Sequence, residues 1–171
     1  MKKPKEIKVA LKLPLIEIEG IWEPNENEQQ AAWEMYVELI TRIAVAELKP
    51  GEGLLREALS SLYSLFETTR NILRKYGPGI AVPRGAEGLS FGYLAVAILN
   101  MVLRPLLSQW HPLLLDYENN REKTVSLLQH EQNWVKAEDL RQALNDTRRI
   151  LLAYAGLLAQ VAGVPSLIIV E

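Results

Sequence analysis

The sequence predicts a mainly α fold: an antiparallel four-helix bundle with short β-strands at the N- and C-termini. Three observations carry that expectation. Apolar residues recur at helical spacing in four long stretches between residues 26 and 163. The connections between these stretches are short, which favours antiparallel neighbours. The two ends of the chain alternate or run apolar in the manner of strands. Residues 1–22 are expected to form a strand-like arm, 26–163 the bundle and 166–170 a C-terminal strand, together one helical domain.

In residues 5–22, Ile7, Val9, Leu11 and Leu13 face one way and Lys8, Ala10 and Lys12 the other. After Pro14, Ile16 and Ile18 alternate with Glu17 and Glu19. The basic outer face of one half suits the acidic outer face of the other across a hairpin, although only Pro14 marks a turn. Asn25 or Asn27 suits an N-cap, with Glu26 and Glu28 at the positive end of the helix dipole. The first helix is expected to run to about Leu48. Its apolar stripe is Trp33, Tyr36, Val37, Ile40, Ala44 and Leu48, and Lys49-Pro50-Gly51 stops it.

The second helix spans about Glu52 to Tyr76, with Leu55, Leu59, Leu62, Phe66, Ile72 and Tyr76 among its core positions. Ser60, Ser61, Ser64 and Thr68 lie on its solvated side, and Arg70, Arg74 and Lys75 favour the negative end of its dipole. Gly77-Pro78-Gly79 ends it. Residues 80–88 read as a surface loop.

The third helix, from Leu89 to His111, is apolar on nearly every side and belongs at the centre. Pro105 should kink it and Pro112 end or bend it again. Residues 116–126 are a polar connection. A fourth long helix then runs from Leu127 or His130 to Ala162, stopped by Gly163. The tail Ser166–Glu171 is strand-like and needs a partner.

Composition narrows function. The chain of 171 residues has 49% hydrophobic and 23% charged residues, a net charge of −2 and no cysteine. Disulfides, thiol catalysis and Cys-ligated zinc are excluded, and no global field draws in nucleic acid. Lys8 and Lys12 interrupt any apolar leader, so a cytoplasmic protein is expected. Residues 89–107 are long enough to span a bilayer, but Asn100 and Arg104 fall inside them, so a buried central helix is favoured over a membrane span.

No phosphate loop, dinucleotide fingerprint, metalloprotease helix or calcium loop is present, and no metal or cofactor is expected. His130 and Glu131 read as a helix surface. Glu34 and Glu38, four apart, read as a solvated face, with carboxylate-only metal binding left open. Trp22, Trp33, Trp110 and Trp134 suit core anchors, or hot spots of an interface.

One polar stripe stands out. Asn100, Arg104, Ser108 and His111 lie along a single face of the third helix. The plain expectation is that Arg104 and His111 pair with carboxylates or backbone carbonyls to fix the kinked helix. Arg104-Pro-Leu-Leu-Ser-Gln-Trp-His111 also resembles the Arg-x4-6-His motif of the HEPN superfamily, whose helical bundles include metal-independent ribonucleases. That resemblance implies Arg104 at a phosphate and His111 in proton transfer, with Asn100 or Ser108 in support. Pro105 departs from the motif's usual polar residue, and basic residues nearby are few.

The strings GIWEP, AAWEMYVELITRIA, LLREALSSLYSLFETTR and LRPLLSQWHPLLLDYE are similar to those of uncharacterised bacterial proteins associated with conflict or defence loci. That likeness implies an accessory or adaptor role. The leading expectation is a non-enzymatic module binding a partner protein or itself as an oligomer. Ile7, Val9, Leu11 and Ile168 in the terminal strands, with Trp22, Trp33 and Trp110, are its candidate contacts. A HEPN-like ribonuclease is the alternative. No DNA partner is expected, and RNA only under that alternative.

Overall fold

The computed structural model describes residues 4–42 and 45–168. Strands β1 (Ile7–Lys12) and β2 (Glu17–Trp22) are followed by helices α1 (Glu26–Ile40), α2 (Leu55–Tyr76), α3 (Phe91–Asn119), α4 (Leu127–Gln132) and α5 (Ala137–Ala162). The protein is therefore mainly helical, with an antiparallel hairpin at the N-terminal end.

The alternation of residues 7–22 sets that hairpin. Its register runs from Ile7 opposite Trp22 to Lys12 opposite Glu17. Ile7, Val9, Leu11, Ile18 and Trp22 point inward and are buried, and β1 lies against α5. The outer face carries Lys12 opposite Glu17, the opposite-charge pairing that stabilises a sheet surface. Leu13 N–H closes the turn on Ile16 O at 2.8 Å, around Pro14 and an exposed Leu15. Gly20 has φ +154°, and a Cβ there would lie 2.8 Å from Cβ of Glu87. The bare backbone admits Glu87, whose carboxylate accepts from Ile21 N–H at 2.9 Å.

Helix α1 opens with a capping box. Asn25 Oδ1 accepts from Glu28 N–H, and Glu28 Oε2 accepts from Asn25 N–H, each at 2.9 Å. Glu28 does more than cap. Its other oxygen accepts from the Trp22 indole at 3.1 Å and from Phe91 N–H, at the start of α3, at 2.9 Å. The side chain is fully buried, so one carboxylate holds the end of β2 and the starts of α1 and α3.

The buried face of α1 is Ala31, Ala32, Met35, Tyr36 and Leu39, which leaves Trp33 outside. Its packing against α5 is the most extensive contact between helices. The expected extension of α1 to Leu48 does not form. Thr41 Oγ1 bonds back to Val37 O at 2.7 Å, and Arg42 turns aside to α2. Ala44 lies outside the described residues.

Helix α2 starts at Leu55, whose N–H is capped at 2.7 Å by Glu131 from α4. Gly77 closes it with its N–H on Leu73 O. Ser90 caps α3 through Tyr93 N–H at 3.1 Å. The disturbance expected at Pro105 appears as a π-helical segment over Ile98–Leu103. Arg104 N–H bonds Leu99 O, five residues back, and proline supplies no N–H for the next rung. Pro112 is accommodated and α3 continues to Asn119. By length and composition α3 could cross a membrane, yet more than half of its most apolar window is buried in the molecule.

Two further expectations are corrected. The fourth long helix is broken between Asn133 and Lys136, giving five α-helices among the described residues. Trp134 sits in the break, edge-on to Trp110 at 6.1 Å and stacked on Tyr117 at 5.4 Å, so core packing overrides helix continuity. The C-terminal strand is absent at Ser166–Ile168, and residues 169–170 lie outside the described residues. Gly163 ends α5 in the left-handed conformation, and Leu167 N–H then bonds Tyr36 Oη at 2.6 Å instead of a strand.

Glu28→Ala would strand three donors at once and should destabilise the fold by roughly 3 kcal/mol or more. Glu28→Gln keeps one acceptor oxygen for Trp22 and Phe91 and should cost clearly less. Urea denaturation of the two variants measures the difference.

Candidate functional site

Helix α2 lies between α1 and α3 and leaves a groove on each side. The α2–α3 groove, of about 260 Å³, is lined by Tyr63, Phe66 and Arg70 from α2 and by Arg104, Ser108 and His111 from α3. Each set recurs at three- or four-residue spacing, so each occupies one helix face. The polar stripe therefore opens to solvent: Asn100, Arg104 and Ser108 are exposed and His111 is half-buried.

Asn100 Oδ1 accepts from both Nε and Nη2 of Arg104 at 3.1 Å, which holds the guanidinium in place. That guanidinium lies 5.3 Å from the Phe66 ring centre, and the guanidinium of Arg70 lies 5.8 Å from the same ring. Neither arginine meets a carboxylate among the described residues.

His111 is fixed from the other end. Arg56 Nε bonds Glu118 Oε1 at 2.9 Å, and Arg56 Nη1 lies 2.5 Å from His111 Nδ1. A guanidinium only donates, so Nδ1 must accept and the neutral ring carries its proton on Nε2. Burial pushes the His111 pKa down, the Arg56 charge adds to that, and Glu118 opposes both. A ring in this tautomer offers the groove an N–H, not a base. The expectation that Arg104 and His111 pair with carboxylates or backbone carbonyls is replaced by a side-chain amide oxygen for the one and a guanidinium for the other.

The α1–α2 groove, of about 360 Å³, has Val37 and Ile72 on its apolar floor and Trp33, 41% exposed, at its edge. Its rim is charged. Lys75 Nζ and Tyr76 Oη both donate to Glu34 Oε1. Burial raises the Glu34 pKa, but the hydrogen bonds from Lys75 and Tyr76 outweigh it and hold the carboxyl below its usual range. Glu38 pairs with Arg42 at 2.8 Å, so each carboxylate once open to a metal is engaged by a cation. Arg42 also donates to Ser61 O at 3.1 Å, Thr68 Oγ1 at 3.0 Å and Ser64 Oγ, which ties the end of α1 to α2.

Most residues expected to meet a partner are committed to the core. Ile7, Val9, Leu11 and Trp22 face inward because the hairpin pairs with itself and lies on α5. Trp110 is buried against Trp134, and Ile168 is half-buried. Trp33 alone of these stays exposed. His130 and Glu131 prove structural: His130 stacks on Tyr117 at 4.0 Å and Glu131 is buried as the cap of α2. Burial pushes the Glu131 carboxyl up, partly offset by the backbone N–H groups of Leu55 and Arg56.

Tyr63, Arg70 and Arg56 are site residues that sequence reading alone did not single out. The available signal was the shared helical spacing of Tyr63, Phe66 and Arg70.

The folded His111 pKa lies below the ordinary value of 6.5, so the unfolded chain takes up its proton first as pH falls. His111 thus contributes stability that is whole above about pH 6.5 and is lost as pH falls through the folded value. Arg56→Ala removes the cation and should move the His111 pKa up, measured by NMR titration of its ring protons. An unchanged value would remove Arg56 from the site's electrostatics. Comparison with protein-family models, with curated proteins and with solved structures finds no match to this chain.

Proposed function

We propose that this chain is a non-enzymatic interaction module, binding a partner protein or a second copy of itself as an accessory component of a bacterial defence system. The observation that carries the reading is Trp33, left exposed on the edge of a groove with an apolar floor and a charged rim. An exposed aromatic anchor beside an apolar centre, rimmed by charge, is the anatomy of a protein interface. The bacterial defence setting rests on the sequence resemblance alone.

The ribonuclease reading has one observation in its favour: Arg104, Ser108 and His111 line a single groove. The chemistry of His111 speaks against it. With Nδ1 accepting from Arg56, Nε2 has no lone pair to take a proton from a 2′-hydroxyl.

Analytical ultracentrifugation of the chain alone, and with the products of neighbouring genes, tests the proposal. Association is expected, and Trp33→Asp should weaken it by at least about tenfold, or about 1.4 kcal/mol. Because Trp33 is partly exposed, that variant should keep its thermal midpoint within roughly 2 °C. No association of the wild type, or association indifferent to Trp33, would contradict the reading. Cleavage of RNA by the wild type that is lost in His111→Ala would favour the alternative.

A further inference from the structure

The geometry points to the α2–α3 groove as a second recognition site, one that takes an acidic segment of a partner protein. It extends the interaction reading to another face of the molecule and does not depend on Trp33.

The first support is charge that has no internal use. Arg70 and Arg104 approach the same Phe66 ring from two helices, and neither pairs with a carboxylate among the described residues. The chain carries a net charge of −2, so the groove is cationic against an acidic background. Glu118, the carboxylate whose charge acts on His111, is already taken by Arg56. Glu67, three residues before Arg70, is exposed and leaves the groove floor to Phe66.

The second support is preorganisation. Asn100 holds Arg104 through two of its nitrogens and leaves Nη1 free to donate. Arg56 sets the His111 tautomer with its proton on Nε2, so His111 and Ser108 add neutral donors beside the guanidiniums. A cluster of donors whose lining holds no carboxylate is complementary to carboxylates.

The third support is the surrounding apolar surface. Tyr63 is 64% exposed, and Leu107 lies on the floor. An acidic peptide with an apolar or aromatic neighbour matches that mixture. An RNA strand matches it less well. Strand binding wants cations tracking several phosphates, and here they stop at a groove of about 260 Å³.

The test is fluorescence anisotropy with four labelled probes: a peptide of alternating glutamate and tyrosine, its glutamine counterpart, the same peptide with phosphoserine for glutamate, and single-stranded polyuridylate. The glutamate peptide should bind saturably below about 1 mM, and the glutamine peptide should not. Arg70→Ala with Arg104→Ala should weaken binding at least about tenfold. Arg149→Ala, on the exposed surface of α5, and Trp33→Asp should leave it within about twofold. Circular dichroism checks that each variant is folded, and both groove arginines are exposed, so folding should survive their loss. Equal binding of the glutamine peptide, no saturation, or loss that does not follow the two arginines would overturn the proposal. Tighter binding of polyuridylate with the same arginine dependence would overturn it in favour of a nucleic-acid phosphate site. Preference for the phosphoserine peptide would overturn the carboxylate assignment.

Discussion

A single buried carboxylate holds the architecture together. Glu28 sits where the hairpin ends and two helices begin, and it accepts from the Trp22 indole, Asn25 N–H and Phe91 N–H. Burying an ionised group is costly unless it is fully hydrogen-bonded, and three donors meet that condition. Two of them belong to helix starts, where backbone N–H groups lack intrahelical partners and the dipole favours negative charge. Glu131 repeats the device at the start of α2, reaching Leu55 N–H from α4. Helices α2 and α3 thus each receive a carboxylate from a distant part of the chain.

The grooves follow from that arrangement. With its start docked at Glu28, α3 runs beside α2, buries Leu94, Ile98, Leu103 and Leu107, and turns Asn100, Arg104 and Ser108 outward. Met35, Leu65, Ile98 and Tyr154 bring α1, α2, α3 and α5 together around a void of about 10 Å³. Tyr154 is wholly buried there and its hydroxyl has no partner among the described residues, so burial pushes its pKa up. A void of that size holds at most one water. The core is filled by side chains, and grooves open at the surface on either side of α2.

Much of the fold was legible in the sequence because its signals are local. Strict alternation marked both strands, and the basic and acidic outer faces indicated their pairing. Gly77 and Gly163 marked helix ends, and Asn25 was one of two candidates for the cap of α1. What escaped depended on tertiary contacts. The face that α1 turns to α5 and the core carries Ala31, Ala32, Met35, Tyr36 and Leu39, and Trp33 came out exposed. The break before α5 answers to the Trp110–Trp134–Tyr117 cluster, and the strand-like tail at Ser166–Ile168 runs without pairing. For the site, the outward stripe of α3 could be read from its spacing. Its complement on α2 shares such a spacing, but Phe66 and Arg70 look like ordinary core and helix-end residues until α3 is placed beside them.

Native-state hydrogen exchange tests the role of Glu28 most directly. If this carboxylate joins β2, α1 and α3, the Trp22 indole N–H and the amides of Asn25 and Phe91 should exchange only through global unfolding, all with the same opening free energy. Exchange of any one of them by local fraying, at a free energy well below the others, would show that the hairpin or α3 is held by other means.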